Sequence, residues 1–237
     1  MENHVLKSGC EKLGISLNEE QEKQFIEYYK LLIEWNQVMN LTAITEYDEV
    51  MQKHFVDSLS LVKGIHISSC ETLIDVGTGA GFPGIPLKII FPHLKIVLLD
   101  SLGKRVKFLN AVIEKLGLNN ITAIHGRAED FSRQKEYREK FDICVSRAVA
   151  NLSSLSEYCL PYVKIGGVFI SYKSGAVEEE LKNARRAISI LGGKEKQTLK
   201  FVLPDSDIER SFVIIQKKKE TPRKYPRKAG VPGKEPL

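Results

Sequence analysis

Leu73-Ile74-Asp75-Val76-Gly77-Thr78-Gly79-Ala80-Gly81-Phe82-Pro83-Gly84 is the stretch that decides how this chain folds. An aliphatic run of strand character ends in a glycine-rich turn, and a helical pattern follows over 86–91. Such a turn puts any ligand at the carboxyl end of a sheet. Its glycines let the backbone approach that ligand with no Cβ in the way. Outward from it the same alternation recurs. Strands are predicted over 73–76, 95–100, 121–125, 141–145, 168–172 and 211–216, with a less regular one around 197–203. Helices are predicted near 86–91, 104–116, 152–160 and 177–191, the last ending at Gly192-Gly193. Buried aliphatic strands alternating with helices predict an α/β doubly wound sheet, mostly parallel. The last two strands have no helix between them, so they are expected as an antiparallel pair at one edge.

Upstream, residues 1–64 form a helical extension that cannot close a core alone. Asn18 is placed to cap a helix, with Gln21 three residues on and acids in the first turn. Phe25, Tyr28, Leu32 and Met39 then follow helical spacing, widened by Ile33 and Trp35. A second helix is predicted over 46–63, with Val50, Phe55, Leu59 and Val62 inward. Residues 65–216 make the main domain, and 217–237 a basic, proline-rich tail.

Charge is unevenly placed. The 237 residues carry 35 cations and 30 carboxylates, net +5. From Gln216 onward eight cations face two carboxylates, so the tail is +6 and the remainder, at 27 against 28, is −1. Pro222, Pro226, Pro232 and Pro236 exclude a helix or central strand there. An extended basic arm for a polyanion is one reading, with Lys217, Lys218, Lys219, Arg223, Lys224, Arg227 and Lys228 as its phosphate contacts. A merely solubilising end is a second. No apolar run approaches the roughly 20 residues of a membrane span, and no secretory pattern opens the chain, so a cytoplasmic protein is expected. Cys10, Cys70, Cys144 and Cys159 form no C-x-x-C pair, and the histidines offer no metal-ligand spacing, so reduced thiols and no metal are expected.

Two ligand classes compete for the glycine turn. A dinucleotide fingerprint needs its third glycine where Phe82 stands. Gly77, Gly79 and Gly81, preceded by Asp75, instead resemble the first motif of class I S-adenosylmethionine-dependent methyltransferases. Asp100 ends the next strand, where a carboxylate can accept from ribose hydroxyls, although a solvated acid is the alternative. After the third strand, His125-Gly126-Arg127-Ala128-Glu129-Asp130 resembles the adenine-holding turn of that class. Its backbone and an acidic side chain would meet the ring, and Glu129 is the better candidate because Asp130 can equally cap the next helix. The loop after the fourth strand lacks the Asn/Asp-Pro-Pro-aromatic run of amino-group methyltransferases. Cys144 and Cys159 lie inside predicted elements, away from any loop where a nucleophile for pyrimidine carbon-5 chemistry would sit. What remains is an acceptor already nucleophilic, such as guanine N7, which has no proton to remove. Methyl transfer then needs alignment and a dry site and no essential acid or base. Arg147 is placed to position the cofactor carboxylate or guanine O6, or to form a structural salt bridge.

At this point the chain is similar to a known family, the bacterial 16S rRNA guanine-N7 methyltransferases called RsmG, formerly GidB. The resemblance covers nearly the whole chain. It is carried by Trp35-Asn36, Asn40-Leu41-Thr42-Ala43, His54-Phe55-Val56-Asp57-Ser58-Leu59 and the Gly-Phe-Pro-Gly-Ile-Pro extension of the glycine turn. Leu99-Asp100-Ser101-Leu102-Gly103-Lys104-Arg105, Ser146-Arg147-Ala148 and Tyr225-Pro226-Arg227-Lys228-Ala229-Gly230 complete it. The resemblance implies methylation of one guanosine in the decoding-region loop, with S-adenosylmethionine as donor and S-adenosylhomocysteine as product. It implies cofactor contacts at Gly77, Phe82, Ala128, Glu129 and Arg147. Gly79, Gly81 and Asp100 come from the general class I pattern. The substrate is expected as the small ribosomal subunit or an assembly intermediate, and the protein as a monomer. For the tail the resemblance implies a third reading at Tyr225-Pro226-Arg227, docking on the body to order a substrate loop. Lys104 and Arg105 read equally as rRNA contacts or a solvated helix start. His54 and Asp57, at i and i+3, can meet on a helix, but the chemistry needs no base, so a structural role over the cofactor mouth is expected. A nicotinamide oxidoreductase and a non-catalytic ribosome-binding factor are the competing readings. Phe82 argues against the first, and the intact glycine turn with Asp100 against the second.

Overall fold

The computed structural model describes residues 3–147 and 149–237; Ala148, one carrier of the resemblance, lies outside them with Met1 and Glu2. A short helix α1 (His4–Lys12) precedes α2 (Glu19–Met39). Asn18 caps α2 as its sequence predicts. The Asn18 side chain accepts from the Gln21 backbone and Gln21 Oε1 accepts from Asn18 N, a complete capping box. The helix expected over 46–63 is continuous but not uniform. It comprises α3 (Tyr47–Val50), a π-helical turn over Met51–Val56, α4 (Asp57–Leu59) and a 3-10 turn over Ser60–Lys63. The wide π turn carries His54, a placement common at functional sites.

The main domain follows as β1 (Thr72–Val76), α5 (Gly84–Ile90), β2 (Lys95–Asp100), α6 (Gly103–Lys115), β3 (Ile121–His125), α7 (Ala128–Phe131) and β4 (Phe141–Arg147). Then come α8 (Leu152–Cys159), β5 (Val163–Lys173), α9 (Glu178–Ile190), β6 (Gly193–Val202), β7 (Glu209–Lys217) and a single turn α10 (Val231–Lys234). The strand order is β3-β2-β1-β4-β5-β7-β6. The first five strands pair in parallel. β7 inserts antiparallel between β5 and β6, so the antiparallel pair closes one edge as its sequence predicts. The chain reverses direction across the sheet between β1 and β4, and ligands of open α/β sheets bind at such a switch point.

Alternate residues of the parallel strands feed two cores. Leu73, Ile96, Leu98, Ile143 and Val145 face one side, packed with Phe25, Tyr28, Leu32, Phe55, Phe82 and Phe108. Ile74, Leu99, Cys144 and Phe169 face the other, packed with Leu155, Leu181 and Ile188. The N-terminal helices thus contribute rings to the first core, each fully buried ring worth about 1.5–3 kcal/mol. Trp35 packs on Phe108 at 5.7 Å between ring centroids. Among the described residues no helix is long and apolar enough to cross a membrane.

The tail departs from the extended-arm reading and follows the docking implied for Tyr225-Pro226-Arg227. It is docked, and Pro232 sits in the first turn of α10, where a missing N–H costs nothing. Tyr225 is buried. Lys217, expected to meet phosphate, is fully buried at the end of β7. Its Nζ donates to Leu160 O at 2.7 Å and Thr221 Oγ1 at 2.6 Å and pairs with Glu139 at 3.0 Å. Arg227 is likewise taken, by the buried Glu157. Lys218, Lys219, Arg223, Lys224 and Lys228 remain exposed.

Candidate functional site

The glycine turn is closed from both ends. Gly77 and Thr78 donate their N–H groups to Leu99 O at 2.8 and 3.2 Å, which ties the turn to the end of β2. From inside, buried Asp75 Oδ2 accepts from Thr78 Oγ1 at 2.7 Å and from Gly84 N at 2.8 Å. Burial pushes the Asp75 carboxyl up to about 6. Gly77, Gly79 and Gly81 have φ of +72°, +63° and +94°, the left-handed region that glycine enters without strain.

The three glycines nevertheless serve different neighbours. A Cβ on Gly79 would meet nothing within 4 Å, and one on Gly77 would meet Val149 Cγ2 at 2.6 Å. A Cβ on Gly81 would strike Ile85 and the Tyr28 hydroxyl at 2.6 Å. Gly81 is thus a packing glycine against α2, where the motif's spacing suggests a ligand contact. Phe82 turns the same way. It stacks on His54 at 4.6 Å and 17° between planes, and on Tyr28 at 5.4 Å.

Two cavities open at the carboxyl edge of the sheet. The first, about 460 Å³, is bounded by Gly77, Leu99, Ala128, Glu129, Val149, Tyr158 and Gly230. Asp100 stands beside its floor, 2% exposed, and braces the turn. Its Oδ2 accepts from Gly79 N at 2.9 Å, its Oδ1 from Leu102 N at 2.9 Å, and Arg105 lies 3.4 Å away. Arg105 is therefore turned to Asp100, while Lys104 is exposed and reaches Met39 O at 3.4 Å. Glu129 is 3% exposed, and its Oε1 accepts from Gly230 N at 2.8 Å.

The second cavity, about 540 Å³, lies over β4, β5 and β7 and is lined by Lys53, His54, Asp57, Arg147, Tyr172, Glu180 and Arg210. At its centre Asp57 is held by two arginines. Arg147 Nη1 donates to Oδ2 at 2.8 Å and Arg210 Nε to Oδ1 at 2.9 Å. Arg147 also lies 3.5 Å from His54 Nδ1 and 5.2 Å from the Phe82 ring centroid. The guanidinium therefore links His54 to Asp57. Burial, assisted by the Arg147 charge, pushes His54 down to about 3, so its ring is neutral at physiological pH. Its Nε2 is 2.8 Å from Thr42 Oγ1. Lys173 Nζ donates to Ala150 O at 3.0 Å and Glu180 Oε1 at 2.7 Å, and Glu180 also receives Leu152 N at 2.6 Å. These bonds tie Ala150 and Leu152, beside the first cavity, to Lys173 and Glu180 of the second.

The sequence reading therefore finds Gly77, Ala128 and Glu129 on one cavity and Arg147 on the other, with Gly79 and Asp100 forming the turn between strands. It misses Arg210, Tyr172, Glu180 and Glu157. Nothing in their local sequence marks them, because each is brought in by a pairing across many residues.

The family described as GidB, rRNA small subunit methyltransferase G, matches residues 21–211. The chain is 59% identical over 236 residues to the ribosomal RNA small subunit methyltransferase G of Lachnoclostridium phytofermentans, covering 100% of this chain and 98% of that protein. Among solved structures it resembles the YcgJ protein from Bacillus subtilis (TM-score 0.52, 14% identity, 70% of this chain and 100% of that one). It also resembles M. jannaschii TYW2 in complex with AdoMet (TM-score 0.50, 15% identity, 62% of this chain and 69% of that one). At these identities the structural likeness speaks for the fold alone.

Proposed function

The chain belongs to the rRNA small subunit methyltransferase G family, and from that premise we propose that it methylates N7 of one guanosine in the decoding-region loop of 16S rRNA. The donor is S-adenosylmethionine and the product S-adenosylhomocysteine. The carrying observation is the pair of cavities at the carboxyl edge of the sheet, one edged by glycines and the Glu129 carboxylate, the other by cations fixed on Asp57 and Glu180. The first fits an adenosyl group. Its volume lies in the range of ligand pockets, Gly77, Gly126 and Gly230 put bare main chain on its wall, and Glu129 keeps one carboxylate oxygen beyond the Gly230 contact.

S-adenosylmethionine supplies an electrophilic sulfonium methyl. The Ala128 backbone and Glu129 would hold the adenine, Gly77 and Gly79 the close approach, and Asp100 the ribose. Phe82 would act through the rings it packs against. Arg147, fixed by Asp57, has donors left for the cofactor carboxylate or guanine O6. A guanine unstacked from the rRNA loop would enter the second cavity. Neither His54 nor Asp57 is poised as a base: the first is held neutral far below its usual range, and both oxygens of the second are paired. Alignment of the N7 lone pair with the methyl in a water-poor site then carries the reaction.

The exposed cations Lys104, Lys218, Lys219, Arg223, Lys224 and Lys228, with Arg105 at the cofactor edge, are the proposed rRNA phosphate contacts. The protein would act as a monomer in the cytoplasm, on the small subunit or an assembly intermediate. Mapping N7-methylguanosine in 16S rRNA from cells with and without the protein tests this directly. Loss of one methylated guanosine is expected, and an unchanged map overturns the proposal.

A further inference from the structure

The C-terminal segment is held more firmly than a solubilising end requires. Arg138 donates to Thr221 O at 2.8 Å and Tyr225 O at 3.1 Å, and Arg133 to Pro226 O. Arg227 then closes a fork on Glu157, which is 0% exposed within α8. Arg227 N meets Oε1 at 2.7 Å, Nη2 meets Oε2 at 2.7 Å, and Nε lies 3.1 Å from both oxygens. Bidentate pairs of this kind fix orientation as well as position. Three residues on, Gly230 N donates to Glu129 Oε1 at 2.8 Å, and Ser154 Oγ donates to Pro232 O at 2.6 Å. Gly230 and Gly233 line the cavity that holds Glu129. The tail thus begins at the far end of β7 and finishes as a wall of the cavity beside β1.

We infer that Arg227–Gly233 is part of the adenosyl site: it fixes the Glu129 carboxylate to accept the exocyclic amine of adenine, with Glu157 and Arg227 as positioning residues. This rests on the reading of the first cavity as the adenosyl site. The chemistry is directional. A carboxylate only accepts hydrogen bonds, so a fixed Glu129 rewards the donor amine of adenine and repels the carbonyl of a 6-oxo purine. A Glu129 released from Gly230 N–H can change rotamer and loses that discrimination. The cost of immobilising it is met in advance by the buried fork on Glu157.

The test is calorimetric titration of S-adenosylhomocysteine and its deaminated 6-oxo counterpart, S-inosylhomocysteine, into the full chain and its variants. Arg227→Gln removes the fork while leaving Tyr225 and the Arg138 contacts in place. It is expected to weaken S-adenosylhomocysteine about tenfold, the size of one charge-assisted hydrogen bond, and the inosyl compound less than about twofold. Arg227→Lys, which keeps a cation for Glu157, should recover part of the loss. Glu129→Gln should show the same selective loss, and adding Arg227→Gln to it should cost nothing further, because both act through one contact. Equal losses on the two ligands, unchanged affinities, or additive losses in the double variant would overturn the inference. Circular dichroism on each variant separates these outcomes from unfolding. Wild-type protein with no measurable affinity for S-adenosylhomocysteine would remove the adenosyl reading itself, and the inference with it.

Discussion

The cavity beside Gly77 has much main chain in its walls, whereas the cavity beside Arg210 is enclosed largely by long charged side chains. In the first, shape comes from a turn whose φ angles only glycine adopts cheaply, braced by Asp75 and Asp100. In the second, shape comes from one carboxylate shared by two cations drawn from β4 and β7. The difference sets where damage appears. Loss of Asp100 beside the first site loosens a turn along with the ligand contact proposed for it. Loss of Asp57 at the second leaves two partly buried cations without their shared carboxylate, and that is a stability effect before it is a functional one.

Asp57→Ala is therefore expected to show the largest effect. Arg147 and Arg210 are only 15% and 19% exposed, so neither regains full hydration when its partner is removed. A loss of about 2–4 kcal/mol is expected by urea unfolding, since the buried partner of two partly buried cations is removed. A loss under about 1 kcal/mol, the range of exposed pairs, would show that this cavity is not held by its charges.

Asp100→Ala sharpens the contrast from the other side. Affinity for S-adenosylmethionine should fall by about 1–3 kcal/mol by calorimetry, as a charged acceptor is lost. Because Gly79 N and Leu102 N also lose their acceptor, the glycine turn loosens as well. Unchanged affinity would place the ribose elsewhere.

The two cavities also differ in how far they are legible in the sequence. The glycine turn and the Asp100 strand end are local, so spacing finds them, and the Ala128-Glu129 turn is local enough for a family resemblance to mark it. The capping box at Asn18 and the antiparallel pair β6/β7 are legible for the same reason: residues close in the chain determine them. Arg210 is 153 residues from Asp57, and Arg227 is 70 from Glu157. Such pairs depend on the strand order, which no short motif encodes. Lys217 shows the same limit. Beside Lys218 and Lys219 it reads as one of three tail cations, yet strand alternation turns it inward to Glu139 while its neighbours stay in water. Gly81 errs the opposite way, a motif glycine retained for Tyr28 rather than for the ligand.

Acid stability separates the two regions by sign. His54 in the second cavity is pushed down to about 3, below its unfolded value near 6.5. The unfolded chain binds its proton first, so stability is full above pH 6.5 and is lost as pH falls toward 3. Asp75 beneath the first cavity is raised to about 6, above an unfolded value near 3.9. Its contribution is present at low pH and is lost as pH rises through 6. Between about pH 4 and 6 the two oppose each other. His54→Gln should therefore steepen the gain in stability on acidification by up to about 1 kcal/mol per pH unit, read from urea midpoints. A slope unchanged by His54→Gln would mean that the ring is not held neutral.

The smallest expected effect is on the chemical step. Guanine N7 carries no proton to remove, the sulfonium does not titrate, and folded His54 is already neutral well below pH 6. A single-turnover methylation rate should thus stay within about twofold from roughly pH 6.5 to 8.5. The slope should be equally flat in His54→Gln, although rRNA docking into the second cavity can weaken there because Thr42 and Phe82 lose their ring partner. A bell-shaped profile in the wild type that flattens in the variant would make His54 a proton carrier. The second cavity would then supply chemistry as well as charge and shape, and the comparison between the two sites would have to be redrawn around a titrating base.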